Sequence, residues 1–248
     1  SQKILPLLTS RGCPYHCSYC ATGLLNHTFL ERSPENIVRE ISEFSDLYNP
    51  EHFIIFDDAL LINQKKRFFK AFSTIRSVTS ASFHTPNGLH AREIKEYTAQ
   101  LLFDSGFKTL RLSFESTKPE ILAKSSHKIT VREMIQAVKH LEMAGYQRKE
   151  IEVYLLFGIQ NQTRKDMEDT LSFIGNLGII PRLSFFSPVP GTPDFLKLQK
   201  DGVLSKDINI YETNKTYFVY QKSGFSHHDI RYLKELTNQI VQLNRGIL

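Results

Sequence analysis

KILPLLTSRGCPYHCSYC, residues 3–20, runs from a strand-like apolar segment straight into a loop that holds all three cysteines of the 248-residue chain. Five further apolar runs follow: HFIIFDD, ASFHT, TLRLSFES, IEVYLLFG and RLSFFSP. They start near residues 53, 82, 109, 151 and 181, mostly about 30 apart, which is the length of a strand plus a crossover helix returning to a parallel neighbour. Each run is apolar nearly throughout and ends in polar residues, as in parallel strands covered by helices. The segments between them carry helix punctuation. Ser33 and Pro34 read as an N-cap and first helical residue, and Thr130 with Glu133 as a capping box. Gly106, Gly145 and Gly178 each close a helical pattern just before a strand, where a left-handed cap is expected. Ile37, Val38, Ile41 and Phe44 fall on one helical stripe, and Val131, Met134, Ile135, Val138 and Leu141 on another. The fold class is α/β, a parallel βα array, open or closed.

Beyond the sixth run the order weakens. SPVPGTPDFLKLQKDG is turn-rich, and NIYETNKTYFVYQ reads as a short extended segment. Ser226 then caps a last helix. In it Ile230, Leu233, Leu236, Ile240 and Leu243 repeat at three and four, a stripe suited to packing on the exterior of the array or on one of its ends. We expect a single domain, with a core over residues 1–195 and a C-terminal helical extension over 196–248 packed against it.

With 41% hydrophobic and 23% charged residues the chain has enough apolar material for a sizeable core. Its net charge of +5 comes from dispersed Lys and Arg, the longest basic run being Lys65, Lys66 and Arg67, which reads as a solvated helix face and argues against a nucleic-acid patch. No apolar stretch approaches the roughly 20 residues of a membrane span, and SQKILPLLTS lacks the basic start and long apolar core of a signal peptide. A reducing cytoplasm is the expected compartment. Three cysteines cannot pair off evenly, and there such a cluster binds metal or reacts more often than it forms disulfides.

Cys13, Cys17 and Cys20 form CxxxCxxC directly after the first strand, and Gly12 and Pro14 favour an irregular backbone able to wrap a ligand. A structural zinc ion wants four protein ligands, so a zinc site here needs His16 or a distant histidine as the fourth. Iron and sulfide fit better. A cubane cluster presents four irons, so three thiolates leave one open to a small molecule. A zinc module, or an iron–sulfur module that only carries electrons to another protein, is the non-catalytic alternative.

CxxxCxxC at the end of the first strand of a six-fold βα array, with an aromatic just before the last cysteine, closely resembles the radical S-adenosylmethionine (radical SAM) enzymes over about residues 4 to 195. The resemblance implies a partial (β/α)6 TIM-like barrel and an oxygen-sensitive [4Fe–4S] cluster whose open iron is chelated by S-adenosylmethionine. It also implies reductive cleavage of that cofactor to a 5′-deoxyadenosyl radical, and a reductant such as flavodoxin or ferredoxin as partner. RGCPYHCSYC, FDD, TPNGLHA, FES and PVPGT look most like the core of the cobalamin-binding radical enzymes and the related methylthiotransferases and tRNA-modifying acyltransferases. Cobalamin members carry a further domain before the barrel, whereas this chain starts almost at its first strand, so cobalamin is expected only if a domain outside the chain supplies it. Methylthiotransferases carry further cysteine-ligated clusters, for which no cysteine is left. Methyl transfer or rearrangement of an unidentified substrate is the expected chemistry, and RNA modification is the alternative within the enzyme class.

Barrel sites lie at the C-terminal ends of strands. By resemblance Tyr19 stands beside adenine. Asp57 and Asp58, ending the second strand, stand where the methionine amino group is held, often by backbone carbonyls; the pair reads equally as a helix N-cap with a solvated neighbour. Glu115 matches the ribose-binding segment, assisted by Ser113 or Ser116, because a carboxylate accepts from both ribose hydroxyls. Phe157 and Gly158 match the place where backbone approaches adenine, although Gln160 and Asn161 replace the Pro-Gly of many relatives. Candidate substrate contacts over the barrel mouth are His84, Asn87 and His90 around the third strand's end, with Arg111 and Arg182 inside the fourth and sixth strands. A buried guanidinium requires an anionic partner, here the methionine carboxylate or an acidic substrate.

Overall fold

The computed structural model describes residues 3–124 and 129–247. Six parallel strands form one sheet in chain order: β1 Ile4–Leu7, β2 His52–Ile55, β3 Ser82–His84, β4 Phe107–Ser113, β5 Ile151–Phe157 and β6 Ile180–Phe185. Sequential order with every connection a crossover makes the sheet curl into a partial barrel. The edge strands β1 and β6 do not pair with each other among the described residues. Each strand overlaps one of the six apolar runs, and β4 and β6 each begin two residues before theirs.

The helices are α1 Thr22–Leu25, α2 Pro34–Tyr48, α3 Phe68–Phe72, α4 Glu96–Asp104, α5 Pro119–Lys124, α6 Val131–Met143, α7 Arg164–Asn176, α8 Pro193–Lys200, α9 Lys215–Gln221 and α10 His227–Arg245. Ser33 accepts from the Asn36 N–H at the start of α2, and Thr130 with Glu133 closes a complete capping box on α6. Gly106, Gly145 and Gly178 have φ of +79°, +113° and +72°, so each helix-to-strand turn rests on a residue without a Cβ penalty. The outward face of the sheet packs against the helices through an aromatic layer in which Phe53, Phe83 and Phe107 stack at 5.7 and 5.4 Å between centroids.

Three expectations need correction. Ile135 is 40% exposed, and its place on the buried stripe of α6 is taken by Ala137, because a full apolar arc is wider than the contact that α6 makes. On α10, Leu243 is exposed and Thr237 buried, its hydroxyl donating back to Leu233 O at 2.7 Å, so a polar residue that satisfies itself locally fills the stripe. NIYETNKTYFVYQ is helical rather than extended: a 3-10 turn over Ile210–Thr213 leads into α9, and Asn214 caps it by accepting from the Thr216 and Tyr217 N–H groups. The β-branched and aromatic residues there pack outward from a helix, where tertiary burial of Phe218 and Val219 overrides their strand propensity. α10 lies along β6 and α7, at the sheet's open edge.

Candidate active site

After β1, an antiparallel pair, Ser10–Arg11 with Leu30–Glu31, closes the neck of the loop that carries the cysteines. Gly12 sits in this neck at φ +84°, and a Cβ there would come within 2.8 Å of Thr28 O, so only glycine passes. Cys17 is buried, Cys13 partly buried and Cys20 exposed, and none is in a disulfide. The Thr22 N–H points at Cys20 Sγ from 3.5 Å, a donor that stabilises thiolate character. A cavity of about 210 Å³ opens beside Cys17 and Cys20, walled by Tyr15, His16, Leu24 and Pro193. Among the described residues no three His, Cys, Asp or Glu side chains surround one point as ligands of a single ion would.

Next to this loop, a cavity of about 420 Å³ lies at the C-terminal end of the sheet, lined by Tyr19, Asn87, Gly88, Ser113, Glu115, Tyr154, Leu156 and Ser184. Its volume falls in the roughly 300–1,000 Å³ range of small-molecule sites. The Tyr19 hydroxyl donates to Glu115 Oε1 at 2.6 Å, and Glu115 is 5% exposed. Burial, then the charges of Glu115 and Cys17, push the Tyr19 phenol far above its usual range, so it remains a donor. The loop after β3 continues along β4 by a bridge between Leu89 and Leu112, which carries Asn87 and Gly88 into the cavity wall. A Cβ on residue 88 would meet Ser113 Oγ at 2.0 Å, so a larger residue there would force the Ser113 hydroxyl to rotate away. Asn87 Nδ2 donates to Phe56 O at 3.0 Å and Asp57 O at 3.2 Å, tying this loop to the end of β2.

The other sequence-derived residues separate into distinct places. The Asp57 carboxylate is 4% exposed and accepts from the Thr9 N–H at 2.7 Å and from the hydroxyls of Thr9 at 2.6 Å and Ser10 at 2.5 Å, so it braces the end of β1. Asp58 is exposed; partial desolvation raises its pKa against the opposing hydrogen bond from the Gly12 N–H. The Ser116 hydroxyl contacts Thr170 Oγ1 on α7 at 3.3 Å, away from the cavity. Phe157 is fully buried against Phe185 and Phe225, and Val219 of α9 seats against Gly158, so β5 presents Tyr154 and Leu156 to the cavity instead. Asn161 occupies the left-handed region at φ +66°, which asparagine tolerates. His90 packs its ring on Tyr15 of the cysteine loop at 5.0 Å.

Arg111 and Arg182 find their anion within the protein. Glu152 on β5 accepts from Arg111 Nε at 3.0 Å and from Arg182 Nη2 at 2.5 Å. His84 lies beside Thr109 and His52, its Nδ1 2.8 Å from Thr109 Oγ1 and its Nε2 3.0 Å from His52 Nδ1. Desolvation, then His52 and Arg111, lower its pKa. Above the unfolded value of about 6.5 His84 is neutral in both states; below it the unfolded chain takes up a proton that the folded chain resists, so stability falls as pH falls. Urea unfolding at pH 7 and pH 5 is expected to show a smaller acid-induced loss in His84→Gln than in wild type. An equal loss in both would mean that His84 carries none of it.

The sequence profile of the Radical SAM superfamily matches residues 7–174, from the end of β1 through most of α7. The chain belongs to the Radical SAM superfamily. Among curated proteins it is 25% identical over 229 residues to the bacteriochlorophyllide d C-12(1)-methyltransferase of Chlorobaculum tepidum, covering 90% of this chain and 48% of that protein. It is also 25% identical over 188 residues to an uncharacterised methyltransferase of Pyrococcus horikoshii, covering 75% of this chain and 40% of that one. The chain thus spans half or less of the length of these two relatives. The fold matches that of the radical S-adenosylmethionine methyltransferase TsrM from Kitasatospora setae, a structure holding cobalamin and a [4Fe–4S] cluster, with a TM-score of 0.72 at 15% identity over 94% of this chain and 52% of that one.

Membership of the Radical SAM superfamily implies a [4Fe–4S] cluster and S-adenosylmethionine, and enzymes of this superfamily generally need a reductant. The residues present fit both groups. Three thiols lie within eight residues of one loop with an N–H donor aimed at one sulfur, and a cavity holding a buried carboxylate adjoins that loop through Tyr19. No helix among the described residues is long and apolar enough to cross a membrane. Tyr154, Leu156 and Ser184 were missed in the sequence because which strand face turns inward is not set locally, and Gly88 because its loop joins β4 only through a long-range bridge. Alternation along β5 (Glu152, Tyr154, Leu156 on one face) was the available signal once one inward residue was known.

Proposed function

We propose that the chain is the catalytic core of a radical SAM enzyme, with methyl transfer or rearrangement of an unidentified substrate as its reaction. The reading rests on one juxtaposition: the CxxxCxxC loop and the Tyr19–Glu115 cavity share a wall at the C-terminal end of the sheet. Together, the cluster and S-adenosylmethionine supply a 5′-deoxyadenosyl radical. Cys13, Cys17 and Cys20 would hold the cluster, and Thr22 would stabilise the charge on Cys20. Glu115 would accept from the ribose hydroxyls, with Ser113 beside it. Asn87 holds the Phe56 and Asp57 carbonyls at the end of β2, where an amino group would be received. Half-buried Tyr19 would bring the cysteine loop to the wall of the Glu115 cavity. A reductant of the flavodoxin or ferredoxin class and a cytoplasmic setting accompany this reading, and cobalamin would join it only from a domain outside this chain. The similarity to a bacteriochlorophyllide d C-12(1)-methyltransferase favours methyl transfer over rearrangement.

The test is anaerobic reconstitution with iron and sulfide, then EPR of the reduced protein with and without S-adenosylmethionine, followed by assay for 5′-deoxyadenosine. A cluster signal that changes on adding the cofactor supports the reading; stoichiometric zinc without iron, or an unchanged signal, removes it. Glu115→Gln removes a charged acceptor, whose hydrogen bonds contribute about 1.5–3 kcal/mol, so S-adenosylmethionine affinity is expected to fall about tenfold or more in equilibrium dialysis. An unchanged affinity would place the ribose elsewhere.

A further inference from the structure

A third cavity, of about 480 Å³, opens along β6 between that strand and α10. Its charged lining is Arg111, Arg182 and Lys234. Glu152 answers the two guanidiniums, and Arg245 Nη2 also reaches it at 3.5 Å, so one carboxylate faces three arginines. Lys234 makes no ion pair among the described residues, and Arg111 engages Glu152 through Nε, leaving its Nη groups without a protein acceptor there. The cavity therefore carries excess positive charge with guanidinium donors still to be satisfied, which suits a planar or tetrahedral oxyanion. Tyr154 joins it to the Tyr19 cavity: it lines both, lies 5.8 Å from the Arg111 guanidinium, and donates its hydroxyl to Pro86 O at 3.0 Å. Arg182 and Ser184 stand on one face of β6, two residues and roughly 7 Å apart, and Ser184 lines the upper cavity.

We propose that this basic cavity is the anion subsite for the substrate. A phosphate or carboxylate group seats on Arg111, Arg182 and Lys234, and the rest of the molecule passes Tyr154 to reach the Tyr19 cavity about one strand repeat above. The location of the reacting end rests on the radical SAM reading; the anion subsite itself does not.

Inorganic pyrophosphate and succinate, titrated separately into the full chain by isothermal calorimetry, test it. At least one is expected to bind with one-to-one stoichiometry. Lys234→Gln, on an exposed helix position, should weaken it about fivefold, and Glu152→Gln should strengthen it by freeing the guanidiniums. Lys70→Gln on α3, an equal change of net charge on another face, should leave it unaltered. Pyrophosphate preference assigns a phosphorylated substrate, and succinate preference a carboxylic acid. Binding of neither probe, or equal weakening by Lys234→Gln and Lys70→Gln, overturns the subsite. The EPR experiment is run without either anion: a cluster that responds to S-adenosylmethionine while no anion binds overturns the subsite alone, and bound anion beside an unresponsive cluster overturns only the radical SAM reading.

Discussion

Replacing Cys17 with alanine is expected to leave the far-ultraviolet circular dichroism of the barrel unchanged while iron incorporation and 5′-deoxyadenosine formation fall below detection. Cys17 is the buried member of the three, at 9% exposure, and its neighbour Tyr19 interacts with it. The chain has no fourth cysteine to substitute, so the variant keeps only two thiolates for a group that requires three. Loss of an outer-shell hydrogen bond to a metal ligand costs about 10–100-fold in affinity, and loss of the ligand itself costs more. The fold should persist because the barrel's core lies on the other face of the sheet, in the Phe53, Phe83 and Phe107 layer. Iron content, visible absorption and product are read on one reconstituted sample. Wild-type iron content in Cys17→Ala would mean that this loop does not hold the cluster, and the assignment of all three cysteines would fall with it.

The parts of the molecule legible from sequence are those set by local chemistry. Ser33, Thr130 and Ser226 cap helices because their hydroxyls answer nearby N–H groups, and Gly106, Gly145 and Gly178 mark turns because their backbone conformation demands it. CxxxCxxC is a short-range pattern too, and Tyr19 came with it. Residues whose roles depend on strand direction were not legible. Arg111 and Arg182 required an anion, but Glu152, 41 and 30 residues away in the chain, becomes their neighbour only through the β4–β5–β6 register. Asp57 reads as part of a segment that receives an amino group, often by backbone carbonyls; that its carboxylate spends its acceptors on Thr9 and Ser10, a contact across 48 and 47 residues, is not legible. Phe157 and Gly158 are read for their backbone; the side chains that β5 turns to the cavity, Tyr154 and Leu156, are not legible, because a one-residue shift along a strand changes the face.

Arg67→Met is expected to lower the free energy of unfolding by about 3–5 kcal/mol and to loosen the cysteine loop more than the barrel. Arg67 reads in the sequence as the end of the basic run with Lys65 and Lys66, yet it is 2% exposed. Its Nη1 donates to Glu31 Oε1 at 3.0 Å, and its Nη2 to Leu60 O at 2.6 Å and, at longer range, to the carbonyls of Ala59 and Ile62. The guanidinium also lies 5.6 Å from the ring centroid of Phe29. One side chain therefore ties the loop after β2 to Glu31, and Glu31 pairs with Ser10 in the neck that closes the cysteine loop. Methionine fills most of the volume and supplies no donor, so the three carbonyls and the Glu31 carboxylate lose their shared partner. Charge loss at an exposed lysine such as Lys65 costs little by comparison. Urea unfolding gives the stability, and hydrogen exchange over residues 10–31 gives the local loosening. Faster exchange confined to that segment and to residues 59–62, with reduced retention of reconstituted iron, is the expected pattern. If instead exchange rises uniformly over β4 and β5, Arg67 acts as general core support and does not brace the cysteine loop.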